Sequence, residues 1–165
     1  MVDDISIGGY QPGGLSRLCA LQCAYYGAKF GLGAKFESVV SADVAEFLAR
    51  FDPDRDFVQL VQHKGEVRGG IVIDSQDCNL ARLRWFFLHD ELRGNGMGNR
   101  LVSNAMEFVM TKKYPNVFLT TVRGLDTARH LYEKAGFTLS EESEDRTWNS
   151  GMVGQRFDWR YPDPV

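Results

Sequence analysis

Between Leu80 and Lys112 an apolar run of strand character passes through Arg93-Gly94-Asn95-Gly96-Met97-Gly98 directly into a run with helical spacing. Few chain orders allow that. Glycines at alternate positions let a backbone approach a ligand without Cβ interference, and the helix that follows aims free N–H groups and its dipole at the same spot. The segment predicts an anion-binding turn, with phosphate as the first ligand to consider. A Walker A loop would end in Gly-Lys-Ser/Thr, whereas Gly98 is followed by Asn99 and Arg100. A dinucleotide fingerprint needs a glycine or alanine where Asn99 stands, and the next strand, Val117 to Val122, ends in Arg123 rather than an acidic ribose partner. An arginine there is compatible with a 2′-phosphate, so an NADP oxidoreductase remains an alternative, beside a glycine-rich turn with no ligand.

The periodicity around this segment predicts a mixed α/β chain. Ile5-Ser6-Ile7 reads as a short strand, and Pro12-Gly13-Gly14 opens a helix carrying Leu15, Leu18, Leu21 or Gln22, and Tyr25 at helical spacing, which Gly31 to Gly33 ends. A second helix is expected from about Ser41 to Arg50, with Val44, Phe47 and Leu48 as its apolar stripe. Phe57 to His63 and Val67 to Asp74 read as a hairpin about Lys64-Gly65-Glu66, followed by a strand from Leu80 to Leu88. A helix from Met97 to Lys112 should cover the sheet with Leu101, Val102, Ala105, Phe108 and Val109. Val117 to Val122, a helix from Asp126 to Ala135, and strands near Phe137 to Glu142 and Met152 to Trp159 complete the pattern. A chain of 165 residues is long enough for one sizeable core and short for two, so a single domain over residues 1–165 is expected.

Charge and cysteine content narrow the function classes. A net charge of −3 argues against a nucleic-acid-binding surface, and no apolar run reaches membrane-spanning length. The acidic start Met1-Val2-Asp3-Asp4 does not resemble a signal peptide, which makes the cytoplasm the expected compartment. Cys19, Cys23 and Cys78 are odd in number and lack metal-ligand spacing, so reduced and mostly buried thiols are expected, with no metal. Acidic residues gather at Asp43 to Glu46 and at Glu141 to Asp145. Either group would attract an amine at long range, although a solvated surface is the plainer reading.

Arg93-x-x-Gly96-x-Gly98 after an apolar strand resembles the acetyl-coenzyme A pyrophosphate loop of the GCN5-related N-acetyltransferase (GNAT) superfamily. A second stretch, Ala128-Arg129-His130-Leu131-Tyr132-Glu133-Lys134-Ala135-Gly136-Phe137, resembles the A-x-x-L-Y-E-K-x-G-F segment of the same family. Kinship with modules fused to MarR-type regulators is suggested by Tyr25-Tyr26, Ala45-Glu46-Phe47-Leu48 through Phe51-Asp52-Pro53, and Leu83-Arg84-Trp85-Phe86. The resemblance implies a mostly antiparallel sheet of six to seven strands, splayed between the fourth and fifth, with about four helices. It implies direct acetyl transfer from acetyl-CoA to a primary amine of a small molecule, peptide or protein, in a monomer or homodimer. A non-catalytic acyl-CoA-sensing module is the alternative.

By the same resemblance, Phe87, Leu88 and His89 would line the pantetheine arm or offer backbone N–H groups to the acetyl carbonyl. Gly94, Asn95, Gly96, Met97, Gly98 and Asn99 would hold the pyrophosphate, and Arg93 would add a charged contact. Tyr132 would protonate the departing thiolate, although its place at helical spacing with Ala128, Leu131 and Ala135 also suits a core residue. His89 and Glu91 are candidates for the base. Leu125 stands where many members carry asparagine, and Asp126 beside it reads as a helix cap. An acceptor pocket is expected from the first two helices and the last hairpin, with Tyr25, Tyr26, Trp85 and Trp148 as aromatic walls.

Overall fold

The computed structural model of the chain describes residues 4–145, 147–148 and 151–163. Met1, Val2 and Asp3, which carry most of the acidic start, lie outside them. The elements run β1 (Ile5–Gly8), α1 (Gly14–Phe30), α2 (Ala34–Ala49), β2 (Phe57–His63), β3 (Glu66–Ser75), β4 (Leu80–Leu88), α3 (Met97–Lys112), β5 (Asn116–Val122), α4 (Asp126–Lys134), β6 (Thr138–Asp145) and β7 (Met152–Arg160). All seven strands join one sheet in the order β1-β2-β3-β4-β5-β7-β6. Neighbours are antiparallel except β4 and β5, whose parallel alignment requires the crossover that α3 supplies.

Local rules account for most boundaries. Gly31 ends α1 in the left-handed region, at φ 70°, and its N–H reaches the Gly27 carbonyl. β2, β4 and α3 have the limits that their periodicity predicts. The second helix differs, starting at Ala34 rather than near Ser41. Its first two turns are mostly exposed and bury no apolar stripe, so periodicity carries no sign of them.

Two apolar layers sandwich the sheet. On one face α1 and α2 pack Leu15, Leu18, Val44 and Phe47 against Leu60, Val72, Trp85 and Phe87. On the other, Leu101, Val102, Ala105 and Val109 of α3 and Tyr132 of α4 meet Ile71, Leu83, Leu119 and Phe157. α1 packs over β2, β3 and β4, while on the same side of β5 and β7 Phe118, Arg156 and Asp158 stay only half-buried and Thr120 is exposed. The edge strand β6 is exposed along nearly its whole length and carries four carboxylates, which disfavour pairing with another strand.

Candidate active site: a splayed sheet above a glycine turn

The centre of the sheet opens into a wedge. β4 and β5 pair only at Leu80 with Asn116, Ala81 with Val117 and Arg82 with Phe118. Beyond that point β4 continues along β3 to Leu88 and β5 continues along β7 to Val122, so their facing edges have no strand partner among the described residues. Unpaired strand edges accept an extended ligand as an added strand. A bulge deepens the irregularity: Gly70 opposes Phe87 and Val72 opposes Arg84, leaving Ile71 to face both Trp85 and Phe86. Trp85 takes φ 50°, a costly conformation for a bulky residue. It is held there by burial, by the Phe47 ring at 5.5 Å and by the Arg84 guanidinium at 4.3 Å.

The glycine turn sits where β4 ends. Gly94 and Gly96 have φ of 80° and 82°, so these two glycines are required by conformation. Gly98 is required by packing instead. A Cβ there would lie 2.9 Å from Leu131 Cδ1 and 3.4 Å from Leu88 Cδ1, so the α3 N-terminus is pressed against α4 and β4. Asn95 Oδ1 accepts from the Met97 N–H at 3.2 Å, and the Arg100 N–H reaches the Gly96 carbonyl at 3.0 Å. The N–H groups of Gly98 and Asn99 find no protein acceptor among the described residues. Free donors at the start of a sixteen-residue helix suit an anion. Arg93 stands beside them, donating through Nε to the Leu88 carbonyl at 2.9 Å, with its guanidinium 5.3 Å from the Tyr25 ring.

Wedge and turn share one cleft of about 540 Å³, within the usual size of a small-ligand site. β4 contributes Phe86, Phe87 and Leu88, and the turn contributes Arg93, Gly94, Gly96, Gly98 and Asn99. α1 adds Gln22, Tyr25, Tyr26 and Lys29, the β5–α4 connection adds Gly124 and Leu125, and α4 adds Asp126, Thr127, Ala128 and Leu131. Of these, Gln22, Lys29 and Thr127 carry no sequence signal, because a polar residue facing a cleft looks like one facing solvent. Lys29 Nζ reaches the Gly124 carbonyl at 3.3 Å and so links α1 to the far lip. Asp126 does not cap α4: it lies in the first turn, next to the dipole's positive end, and Leu125 is the boundary residue without a side-chain cap.

Tyr132 packs behind the cleft wall rather than in its lining. Its ring lies 5.9 Å from Phe86 and 6.3 Å from both Phe137 and Phe157, and its hydroxyl makes no hydrogen bond among the described residues. Burial, and secondarily the nearby Tyr26 phenol, pushes its pKa far above the ordinary tyrosine value. Tyr26 itself is raised to about 12, by burial first and then by Tyr25. Tyr26 stacks on Phe36 at 5.2 Å, and Phe36 meets Trp148 at 5.4 Å, so the tip of the last hairpin does reach the helical side. Trp85 lies in the core under α2.

Other expected residues fall outside the lining. Met97, the first residue of α3, is buried in the core. The His89 N–H is engaged by the Arg68 carbonyl at 2.8 Å, so it is not a free donor for the cleft. Glu91 Oε1 lies 3.2 Å from His63 Nδ1, 3.3 Å from Arg68 Nε and 3.8 Å from His89 Nδ1, and its pKa is lowered chiefly by the His63 contact. Three members of the acidic groups are paired too: Asp43 with Arg84, Glu46 with Arg50, and Glu142 with Arg123. Arg84 and Arg50 both also approach Asp74, which is fully buried. Glu46, Arg50 and Arg84 also border a second hollow of about 510 Å³, together with Asp52, Arg55 and Asp56. Of the free cysteines only Cys19 is buried, with its thiol pushed up to about 12 by that burial; Cys23 is half-buried and Cys78 exposed. No helix among the described residues is long and apolar enough to cross a membrane.

Comparison with known proteins agrees with this architecture. The model of the acetyltransferase (GNAT) family matches residues 17–137. The N-acetylaspartate synthetase of Danio rerio is 28% identical over 125 residues, covering 74% of this chain and 44% of its own length. This chain therefore spans under half of that relative. Among solved structures, an acetyltransferase from Streptococcus agalactiae superposes with a TM-score of 0.76 at 19% identity, covering 96% of this chain and 99% of its own. A GNAT family acetyltransferase from Elizabethkingia anophelis with acetyl-CoA bound superposes with a TM-score of 0.65 at 14% identity, covering 96% and 99%. These two likenesses concern the fold.

Proposed function

The chain belongs to the acetyltransferase (GNAT) family, and from that membership we propose that it is an N-acetyltransferase moving the acetyl group of acetyl-CoA to a primary amine in a ternary complex. Residues 1–165 act as one such domain. The carrying observation is that free helix N-terminal donors and an unpaired strand edge open into one cleft. Acetyl-CoA supplies an activated thioester: the amine nitrogen bonds to its carbonyl carbon, the C–S bond breaks, the sulfur takes a proton and the nitrogen gives one up to water.

The chain's own groups divide the remaining work. Gly98 and Asn99 donate backbone N–H groups to the pyrophosphate, with Gly94 and Gly96 shaping the turn and Asn95 fixing it through the Met97 N–H. Arg93 adds charge at the rim. Phe87 and Leu88 border the pantetheine arm on the β4 side. Tyr132 serves as the proton donor to sulfur, a role assigned from its place in the Leu131-Tyr132-Glu133-Lys134 stretch that resembles the family segment; burial keeps its phenol neutral and makes it a weaker acid, which counts against this role.

Thermal unfolding with saturating acetyl-CoA, and with NADP in parallel, tests the cofactor class. Binding to the native state at a hundredfold excess over Kd stabilises by about 2.7 kcal/mol, a midpoint shift of several degrees. Release of coenzyme A thiol across a panel of amines tests turnover. Stabilisation without turnover would favour the acyl-CoA-sensing reading, which the placement of Tyr132 behind Phe86 supports. Stabilisation by NADP alone would overturn both.

A further inference from the structure

We propose that the acceptor is an amine that also carries a carboxylate, and that the Arg82 guanidinium holds this carboxylate on the sheet face left open beside α1 and α2. The proposal rests on the acetyltransferase reading above and specifies its second substrate.

Position comes first. Arg82 and Phe118 form the last β4–β5 pair, so Arg82 marks the closed end of the wedge. Its side chain rises on the α2 side, as that of Arg84 two residues later shows by reaching Asp43 of α2 at 2.8 Å. There it donates through Nη2 to the Thr120 hydroxyl at 2.9 Å. Phe118, on the neighbouring strand, takes the Arg82 guanidinium at 5.5 Å and that of Arg156 at 4.3 Å.

Charge pairing then separates the three arginines. Arg84 is neutralised by Asp74 at 3.1 Å and by Asp43, and Arg156 by Asp158 at 3.0 Å. Arg82 has no carboxylate within ion-pair distance among the described residues, only a hydroxyl and a ring. Its half-buried charge is disfavoured by desolvation first and then by Arg84, with Arg156 adding to the effect and Asp43 and Asp74 offsetting it. A half-buried guanidinium without a counter-charge is an unfavourable arrangement that an anionic ligand relieves. With one donor engaged by Thr120, the rest of its planar fork suits the two oxygens of a carboxylate. One guanidinium without its own carboxylate among the described residues leaves no mark on a net charge of −3, so overall charge does not reveal it.

The test uses matched amines of one chain length ending in carboxylate, carboxamide or phosphonate, with saturating acetyl-CoA and release of coenzyme A as readout. In the unaltered protein kcat/KM for the carboxylate should exceed that for the carboxamide by about ten- to hundredfold, as expected for a charged hydrogen-bond pair. Arg82→Gln should bring that ratio near one, mainly through KM, and Arg82→Lys should restore part of it. No preference in the unaltered protein, a preference for phosphonate, or an unchanged ratio in Arg82→Gln would overturn the proposal. Calorimetric binding of an N-acetylated amino acid with coenzyme A present gives a readout independent of turnover. Binding lost in Arg82→Gln supports the subsite even in a protein that turns nothing over, whereas no binding or equal binding removes it. If acetyl-CoA itself fails to stabilise the fold, the acetyltransferase reading falls and this proposal with it.

Discussion

Arg93 donates through Nε to the Leu88 carbonyl at 2.9 Å, while its Nη1 lies 3.0 Å from Asp90 Oδ1. The glycine turn is thereby tied to the end of the strand that borders the wedge. The guanidinium is positioned before any ligand arrives, which limits the entropy lost when a phosphate binds. Arg93→Ala should weaken acetyl-CoA binding by about ten- to hundredfold, measured by titration calorimetry. Affinity equal to that of the unaltered protein would remove Arg93 from the binding site.

Tyr132→Phe separates proton donation from packing. The ring contacts with Phe86, Phe137 and Phe157 survive this change, and no hydrogen bond is lost among the described residues. The thermal midpoint should stay within about 2 °C, whereas kcat should fall by about a hundredfold if the phenol protonates sulfur. Unchanged turnover would leave Tyr132 as a core residue only.

Alkaline pH should destabilise the fold through the same aromatic cluster. Tyr26 is raised to about 12 and Tyr132 higher still, both chiefly by burial, while unfolded phenols titrate near about 10. A folded-state pKa above the unfolded one gives stability that is complete below about pH 10 and is lost as pH rises through about 12. The midpoint measured from pH 8 to 11.5 should therefore be level at first and then fall, less steeply in Tyr26→Phe. Identical slopes in the two proteins would count against the buried-phenol account.

Asp74 is fully buried, 2.8 Å from Arg50 Nη2 and 3.1 Å from Arg84 Nη1. Asp74→Ala leaves guanidinium charge beside a buried site with only Asp43 and Glu46 as remaining partners. Urea unfolding should show a loss of about 3–5 kcal/mol, the cost of breaking a buried ion pair from one side. A loss below about 1 kcal/mol would mean that water already solvates the cluster.

Several parts of the site were legible because their signals are local. The limits of β4 and α3 follow from a change of hydrophobic period, and Gly94 and Gly96 lie where a turn requires positive φ. Gly98 was legible as a glycine but not for its reason, since contact with Leu131 spans thirty-three positions of sequence. Lys29 and Gln22 in the cleft, and the early start of α2 at Ala34, had no signal, because each concerns which polar surface faces what.

The sequence by itself determined the order of elements, the glycine turn and the family motifs, all of which depend on neighbours within a few residues. Only the tertiary structure decided that β4 and β5 part after Arg82 and Phe118, that Glu91, Asp43 and Glu46 are already paired, and that Arg82 has no carboxylate partner among the described residues. Strand divergence and charge pairing are relations between distant segments. Their energies depend on burial and separation, which no local pattern encodes.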